Sequence, residues 1–215
     1  MKIVLQIVLW IIIGILGYFT YHAVYGPVEF NKIRDKRYKD VVEKMKDIRE
    51  SQIAHKDIVG NYEDDFEGLI KFIDTAEFVL TQRKDTTFLD EEYLETYGVD
   101  KYVEDVVIDT LGFYSVKDSL FGGTDRYKDL MYVPHTDNKK FEIDAGYLDN
   151  KKEIPVFEVK VSKDLILADQ DKDLLQQEKQ IKSVDGVNGT HIRVGSMDEV
   201  KTSGNWPKNF GAGSE

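Results

Sequence analysis

The sequence contains no cysteine among its 215 residues, and only four histidines. Disulfide bonds, zinc sites with thiolate ligands and cysteine nucleophiles are therefore excluded. No two histidines stand at the spacing of a helical metal site, and no HExxH motif is present. The chain has 29 basic and 40 acidic residues, a net charge of −11. This balance argues against nucleic-acid binding, which needs a basic face.

Motifs that carry chemistry are also scarce. The chain has no P-loop, no GxGxxG after a strand pattern and no serine in a GxSxG setting. Asp169, Asp171 and Asp173 alternate as at the start of an EF-hand, but Leu174 and Gln180 stand where Gly and Glu are required. We expect a solvated turn that caps the next helix, with a calcium site of another type as the alternative. The sequence predicts no catalytic, cofactor-binding or metal-binding residue and no cofactor.

The most prominent feature present is a long apolar run at the N-terminus. Residues 3–19 include no charged side chain, and Tyr18, Tyr21 and Tyr25 crowd its far end. With the next five residues the run reaches about 20, enough to cross a hydrocarbon core of roughly 30 Å. A secretory signal has a shorter core and small residues at its cleavage site, where this chain has Tyr25. Residues 1–26 are therefore predicted to be an uncleaved signal-anchor, a single transmembrane helix.

The orientation of this segment is less clearly encoded. Only Lys2 precedes the run, whereas five basic residues come closely after it: Lys32, Arg34, Lys36, Arg37 and Lys39. The positive-inside rule would place the soluble domain in the cytoplasm. A two-residue N-terminus before a long apolar run instead favours export of the soluble domain. We expect a single-pass protein of the bacterial inner membrane with an extracytoplasmic soluble domain, and the cytoplasmic orientation is the alternative.

Residues 27–59 are predicted to form a helical stalk. Gly26-Pro27 should end or kink the apolar helix, because proline removes an N–H donor and clashes with the preceding turn. Four apolar residues in the stalk have spacings of three, four and three, a narrow seam. These residues are the predicted partner-binding set: Tyr38, Val41, Met45 and Ile48. They would bind a protein partner or mediate self-association; the alternative is a helix lying on its own domain.

Residues 60–201 are predicted to form one soluble domain, and residues 202–215 a flexible tail. The fold class is α+β: an N-terminal transmembrane helix continuing into a long amphipathic stalk helix, then a mainly antiparallel β-sheet domain with short helices. The expected elements are a helix 66–73 capped by Asp64 or Asp65, a strand 77–82, a loop or short helix 85–101, one or two strands in 103–116, a strand 129–133, a hairpin of 141–148 with 155–161 joined through 149–152, a helix 172–182 after Asp171 and a strand 191–195.

Two stretches carry a resemblance to known families. The residues IRESQIAH at 48–55, with Gly60-Asn61-Tyr62 and Leu69-Ile70 after them, resemble the helix end of type IV pilins and secretion pseudopilins. The order of anchor, long helix and antiparallel sheet is also similar to that of pilus-assembly inner-membrane proteins. The Gly-Phe cleavage junction of pilins is absent. Residues 195–207 look like the ending of single-pass membrane proteins of Bacteroidota, a likeness that implies no activity.

Three functions are consistent with these features. The first is a non-enzymatic assembly or scaffold protein of the bacterial envelope, anchored by one span. The alternatives are a pilin-like filament subunit and a membrane-tethered enzyme or ligand-binding domain. The expected partners are the lipid bilayer and proteins bound through the stalk, with no nucleic acid.

Overall fold

The structure is a computed structural model that describes residues 2–148, 154–180, 182–207 and 210. It mixes helices with antiparallel sheets and starts with a long apolar helix, as predicted. The chain divides into two units: unit 1 comprises Met1–Leu69 and Lys128–Glu215, and unit 2 comprises Ile70–Tyr127.

The first helix, α1, is continuous over Lys2–Val59. Its 58 residues correspond to about 87 Å at the standard rise. The expected break at Pro27 does not occur. Proline removes only one helical hydrogen bond, and helical hydrogen bonding continues on both sides of it. The helix ends at Gly60, which has a φ of 96° and donates its N–H to the Lys56 carbonyl at 2.8 Å.

The remaining elements come in a mixed order. They are α2 (Phe66–Thr75), β1 (Glu77–Leu89), α3 (Glu91–Tyr97), β2 (Tyr102–Ser115), α4 (Val116–Phe121), β3 (Glu142–Tyr147), β4 (Pro155–Ser162), α5 (Lys163–Ile166), α6 (Lys172–Gln180) and β5 (His191–Gly195). The predicted hairpin of β3 with β4 and the last strand β5 are confirmed. The predicted connection 149–152 lies outside the described residues.

Unit 1 builds its core around the sheet β3–β4–β5, with α1 packed against β5. In the central strand, Phe157, Val159 and Val161 are buried, whereas Glu158 and Lys160 alternate with them on the other face. Two predicted helix caps are confirmed. Asp65 accepts from the first turn of α2, and Asp171 accepts from the first turn of α6. Because α1 packs against β5, it serves as one layer of this core.

Unit 2 is dominated by the antiparallel hairpin of β1 and β2. Of the loop or short helix expected over 85–101, the short helix is present as α3, between an Asp90 cap and Gly98, whereas residues 85–89 belong to β1. Three of the six acidic residues in this stretch, Glu91, Glu92 and Glu95, lie in α3. The one or two strands expected in 103–116 are a single strand, β2, which ends at Ser115 and has Leu111 as the extra residue of a bulge opposite Leu80 and Thr81.

The strand expected over 129–133 is absent. Asp125–Asp129 is a 3₁₀ turn, and the next pairing is an isolated bridge between Tyr132 and Lys140. The ammonium of Lys44 on α1 donates to the carbonyls of Asp129 and Tyr132 at 2.7 and 2.8 Å. These backbone acceptors therefore bond to the helix.

Candidate functional site

The N-terminal part of α1 has an apolar surface that nothing in the described chain covers. An 18-residue window in α1 is apolar enough to cross a membrane by length and composition, and none of it is buried. Ile3 and Trp10 are each 72% exposed. Exposing so many large apolar side chains to water would be strongly unfavourable. The described residues supply no apolar cover for this segment.

The four residues predicted to bind a partner lie inside unit 1. Tyr38, Val41, Met45 and Ile48 are 0–1% exposed. They are core residues of the layer formed by α1, as in the alternative of a helix lying on its own domain. A partner would reach them only if α1 left the sheet, so this structure offers no open docking surface there.

Polar side chains near the N-terminal end of the buried stretch fix α1 to unit 1. Arg37 donates from two guanidinium nitrogens to Asp169, at 2.5 and 2.8 Å, and from one of them also to the Ile166 carbonyl. These hydrogen bonds hold the pKa of Asp169 well below its usual range. His135 contacts Asp40 of α1 at 2.6 Å through Nε2. Together with Lys44, these contacts hold the helix from two sides.

The far end of α1 is fixed by two polar residues that continue the apolar seam. Gln52 donates to the Glu63 carbonyl at 2.6 Å and accepts from the Glu63 N–H at 2.9 Å. His55 contacts the Asn61 carbonyl at 2.6 Å through Nδ1. Both side chains are nearly fully buried. They satisfy the backbone of the turn after the helix, which explains polar residues at core positions.

The most concentrated buried charges of unit 1 form a cluster around Glu178. One carboxylate oxygen accepts from Lys163 Nζ at 3.1 Å, and the other accepts from Arg34 at 2.7 Å. The Tyr38 hydroxyl lies 3.4 Å from the first oxygen. Lys163 is 0% exposed and also donates to the Val187 carbonyl at 2.6 Å. Burial lowers the pKa of Lys163 and raises that of Tyr38.

A small cavity of about 190 Å³ adjoins this cluster. Arg34, Tyr38, Glu178 and Phe210 are among its lining residues. The polar atoms of the cluster bond to one another, and no described buried side-chain nitrogen or oxygen lacks a partner. The sequence indicated none of these residues as a cluster, because their partners are up to 144 positions apart. The cluster links α1 to α5 and α6 and is structural in its bonding.

The acidic triplet after α5 is used for an ion pair and a helix cap. Asp169 binds Arg37, and Asp171 caps α6, as expected for a solvated, capping turn. Among the described residues, no group of three or more His, Asp or Glu is placed to hold a metal ion. A groove of about 620 Å³ runs between residues 22–33 of α1 and residues 170–174, and its charged lining is acidic.

The hairpin of unit 2 exposes apolar side chains along its whole length. Every residue of β1 and β2 is at least partly exposed. The most exposed large side chains are Ile108 and Tyr102 at 65% and Phe113 at 64%. A two-stranded hairpin is marginally stable in water without a packed face. Exposed apolar surfaces of this kind occur where proteins contact other proteins, membranes or ligands.

The hairpin is also strongly acidic. Residues 77–115 contain ten acidic and three basic residues, a net charge of −7 out of −11 for the chain. The acids lie mainly on β2 and on the tip around α3, whereas Arg83 and Lys84 lie in the middle of β1. The outer edge of β1 is thus the least acidic part of this surface.

No protein-family model, curated protein or solved structure matches this chain. The function is therefore inferred from the geometry of α1, the buried cluster and the hairpin.

Proposed function

We propose that this chain is a single-pass, membrane-anchored, non-enzymatic scaffold protein of the bacterial envelope. In this proposal the apolar part of α1 crosses the inner membrane, unit 1 stands at its outer surface, and the hairpin of unit 2 binds other proteins. The observation that carries the proposal is the dual character of α1. One continuous helix is uncovered and charge-free over residues 3–19 and is core to unit 1 from residue 38 onward.

The contacts of α1 support a rigid tether. Arg37, Lys44 and Gln52 each bond to backbone or carboxylate groups elsewhere in unit 1. A helix held along this length cannot swing freely relative to the sheet. These contacts therefore hold unit 1 to the helix that the proposal places in the membrane.

The use of the buried polar groups favours a scaffold over an enzyme. The Lys163 ammonium, a strong candidate for reactivity by burial alone, donates to the Glu178 carboxylate and to two carbonyls. A nucleophilic or Schiff-base lysine needs a free lone pair and room for a substrate. The exposed apolar hairpin, by contrast, has the character of a binding element.

The membrane part of the proposal is tested by extraction and topology. The full-length protein should stay with membranes in alkaline carbonate and dissolve only in detergent. A C-terminal alkaline phosphatase fusion should be active and a matching fusion to a cytoplasm-dependent fluorescent protein dark. Release of the protein by carbonate would contradict the membrane anchor. The opposite reporter pattern would contradict the extracytoplasmic orientation.

The scaffold part is tested by site-specific cross-linking in cells. A photo-reactive residue at Phe113 should cross-link to a distinct envelope protein, and the same residue at Val184, which is 91% exposed in unit 1, should not. Phe113→Ser should abolish co-purification of that protein in mild detergent, whereas Val184→Ser should leave it intact. A protein that is only monomeric, with no hairpin-dependent partner, would contradict the scaffold function.

A further inference from the structure

The outer edge of β1 is open over thirteen residues. Among the described residues β1 pairs only with β2, so the sheet has two strands and two free edges. A free edge presents unpaired N–H and C=O groups that another strand can extend. Proteins guard long edges with prolines, bulges or like charges. The β1 edge has no proline, and the bulged residue of the hairpin, Leu111, is on β2.

The sequence of β1 is self-complementary when it is aligned antiparallel to itself about Lys84. In this register apolar residues meet apolar ones at both ends, and threonine and glutamine meet threonine between them. The pairs are Val79 with Leu89, Leu80 with Phe88, Thr81 with Thr87, Gln82 with Thr86 and Arg83 with Asp85. Cross-strand pairs of these kinds stabilise antiparallel sheets. Lys84 alone meets its own copy, and this is the one like-charge pair of the register and is unfavourable.

The two charges that flank Lys84 favour this pairing. Arg83 and Asp85 are 73% and 83% exposed and lie 3.5 Å apart in the same strand. Because an exposed ion pair of this kind is weak in water, each residue can exchange its partner for the equivalent one across a two-fold axis. The mixed signs distinguish this edge from one protected by like charge.

The β2 edge does not have these properties. Its charged residues are Glu104, Asp105 and Asp109, all acidic. No register of β2 against itself brings a base near an acid, and registers that pair the middle of the strand bring acids near acids. The bulge at Leu111 further disrupts the ladder on that strand.

We propose that a second copy of this chain pairs with the β1 edge, antiparallel and centred on Lys84, to give a four-stranded sheet in the order β2–β1–β1–β2. This inference rests on the proposed function, because it takes the hairpin as the binding element. It adds that the partner at the β1 edge is a second copy of the chain. A four-stranded sheet removes one free edge from each copy and enlarges the apolar face offered to other proteins. The two-fold axis keeps equivalent residues of both copies on the same face.

Cysteine cross-linking of the full-length protein in membranes tests the register, because the natural chain has no cysteine. Lys84→Cys should give a disulfide dimer under mild oxidation, since directly opposed Cβ atoms lie roughly 4.5–5.5 Å apart. Glu77→Cys is the matched control on the same strand. In this register its two copies lie about 48 Å apart, so it should remain monomeric. No dimer from Lys84→Cys, or an equal dimer yield from Glu77→Cys, would overturn the proposal.

Charge exchange in the Lys84→Cys background tests the complementarity. Arg83→Asp alone, or Asp85→Arg alone, places like charges opposite each other and should lower the initial cross-linking rate about fivefold. The double exchange should restore it, which also shows that the hairpin folds. Unchanged rates in both single variants would refute the pairing. A Lys84→Cys dimer without a hairpin-dependent envelope partner would support the pairing and contradict the scaffold function. A hairpin-dependent partner without a Lys84→Cys dimer would support the scaffold function and contradict the pairing.

Discussion

Removing Glu178 should cost more stability than removing Lys163, although the two form one ion pair. Without Glu178, the fully buried Lys163 ammonium keeps only carbonyl partners. Arg34 would still bond to Asp35 through two nitrogens. Without Lys163, the Glu178 carboxylate still faces Arg34 at 2.7 Å and the Tyr38 hydroxyl. The unpaired charge therefore arises only in the first variant.

The expected losses in the free energy of unfolding reflect this difference between the two variants. Glu178→Leu should lower the free energy of unfolding by about 4 kcal/mol, the usual cost of an uncompensated buried charge. Lys163→Met should cost about 2 kcal/mol, the loss of hydrogen bonds to a group that remains neutralised. The double variant removes both charges and should recover about 2 kcal/mol relative to Glu178→Leu.

Urea unfolding of the full chain in detergent, monitored by Trp206 fluorescence, measures these differences at constant slope. Lys179→Met on the same helix is the control, because its ion pair with Asp164 is 53% exposed on the acid side and should contribute less than about 1 kcal/mol. If the loss in Glu178→Leu does not exceed that in Lys163→Met, or if the double variant is simply additive, the charge-network reasoning fails.

Three further expectations can be measured in the same preparation. Met45→Ala should lower the free energy of unfolding by about 3 kcal/mol because the side chain is fully buried. Ile58, which is 40% exposed on the same helix, is the control, and Ile58→Ala should change that free energy by less than about 0.5 kcal/mol. Equal effects would contradict the core role of the seam. Hydrogen bonds from Arg37 lower the pKa of Asp169, which adds stability that is fully present above the unfolded pKa of roughly 3.9 and is lost as the pH falls below it. Asp169→Asn should therefore flatten the acid limb of a pH–stability curve and leave the neutral-to-alkaline limb parallel to that of the wild type. Mass spectrometry of the membrane-derived protein should find an unprocessed N-terminus, and loss of a leader would favour the pilin-like alternative.

Local patterns in the sequence predict much of unit 1. The spacing of apolar residues in α1, the Asp65 cap and the alternation along β4 are each encoded within a few neighbouring residues. Such signals depend on short-range geometry, the 3.6-residue period of a helix and the two-residue period of a strand. They are therefore visible without knowledge of the fold.

The features that define the buried cluster could not be predicted in this way. Lys163 comes directly after a strand, next to two other polar residues, and looks like a surface residue in the sequence. Its burial depends on Glu178, fifteen positions away, and on α1. The symmetry of β1 about Lys84 acquires meaning only once the strand is known to extend to Leu89 with one edge unpaired.

The distribution of apolar side chains gives the two units different roles. Unit 1 places its large apolar residues inside, on α1 and on the central strand, and leaves the first nineteen residues of α1 without cover. Unit 2 places Ile108, Phe113 and Tyr102 outside. A soluble, self-sufficient protein would cover both surfaces, because each exposed patch invites non-specific association. For the two uncovered surfaces of different shape, an apolar helix and an extended hairpin with an open edge, we therefore propose two different occupants: a bilayer for the helix and a protein strand for the hairpin.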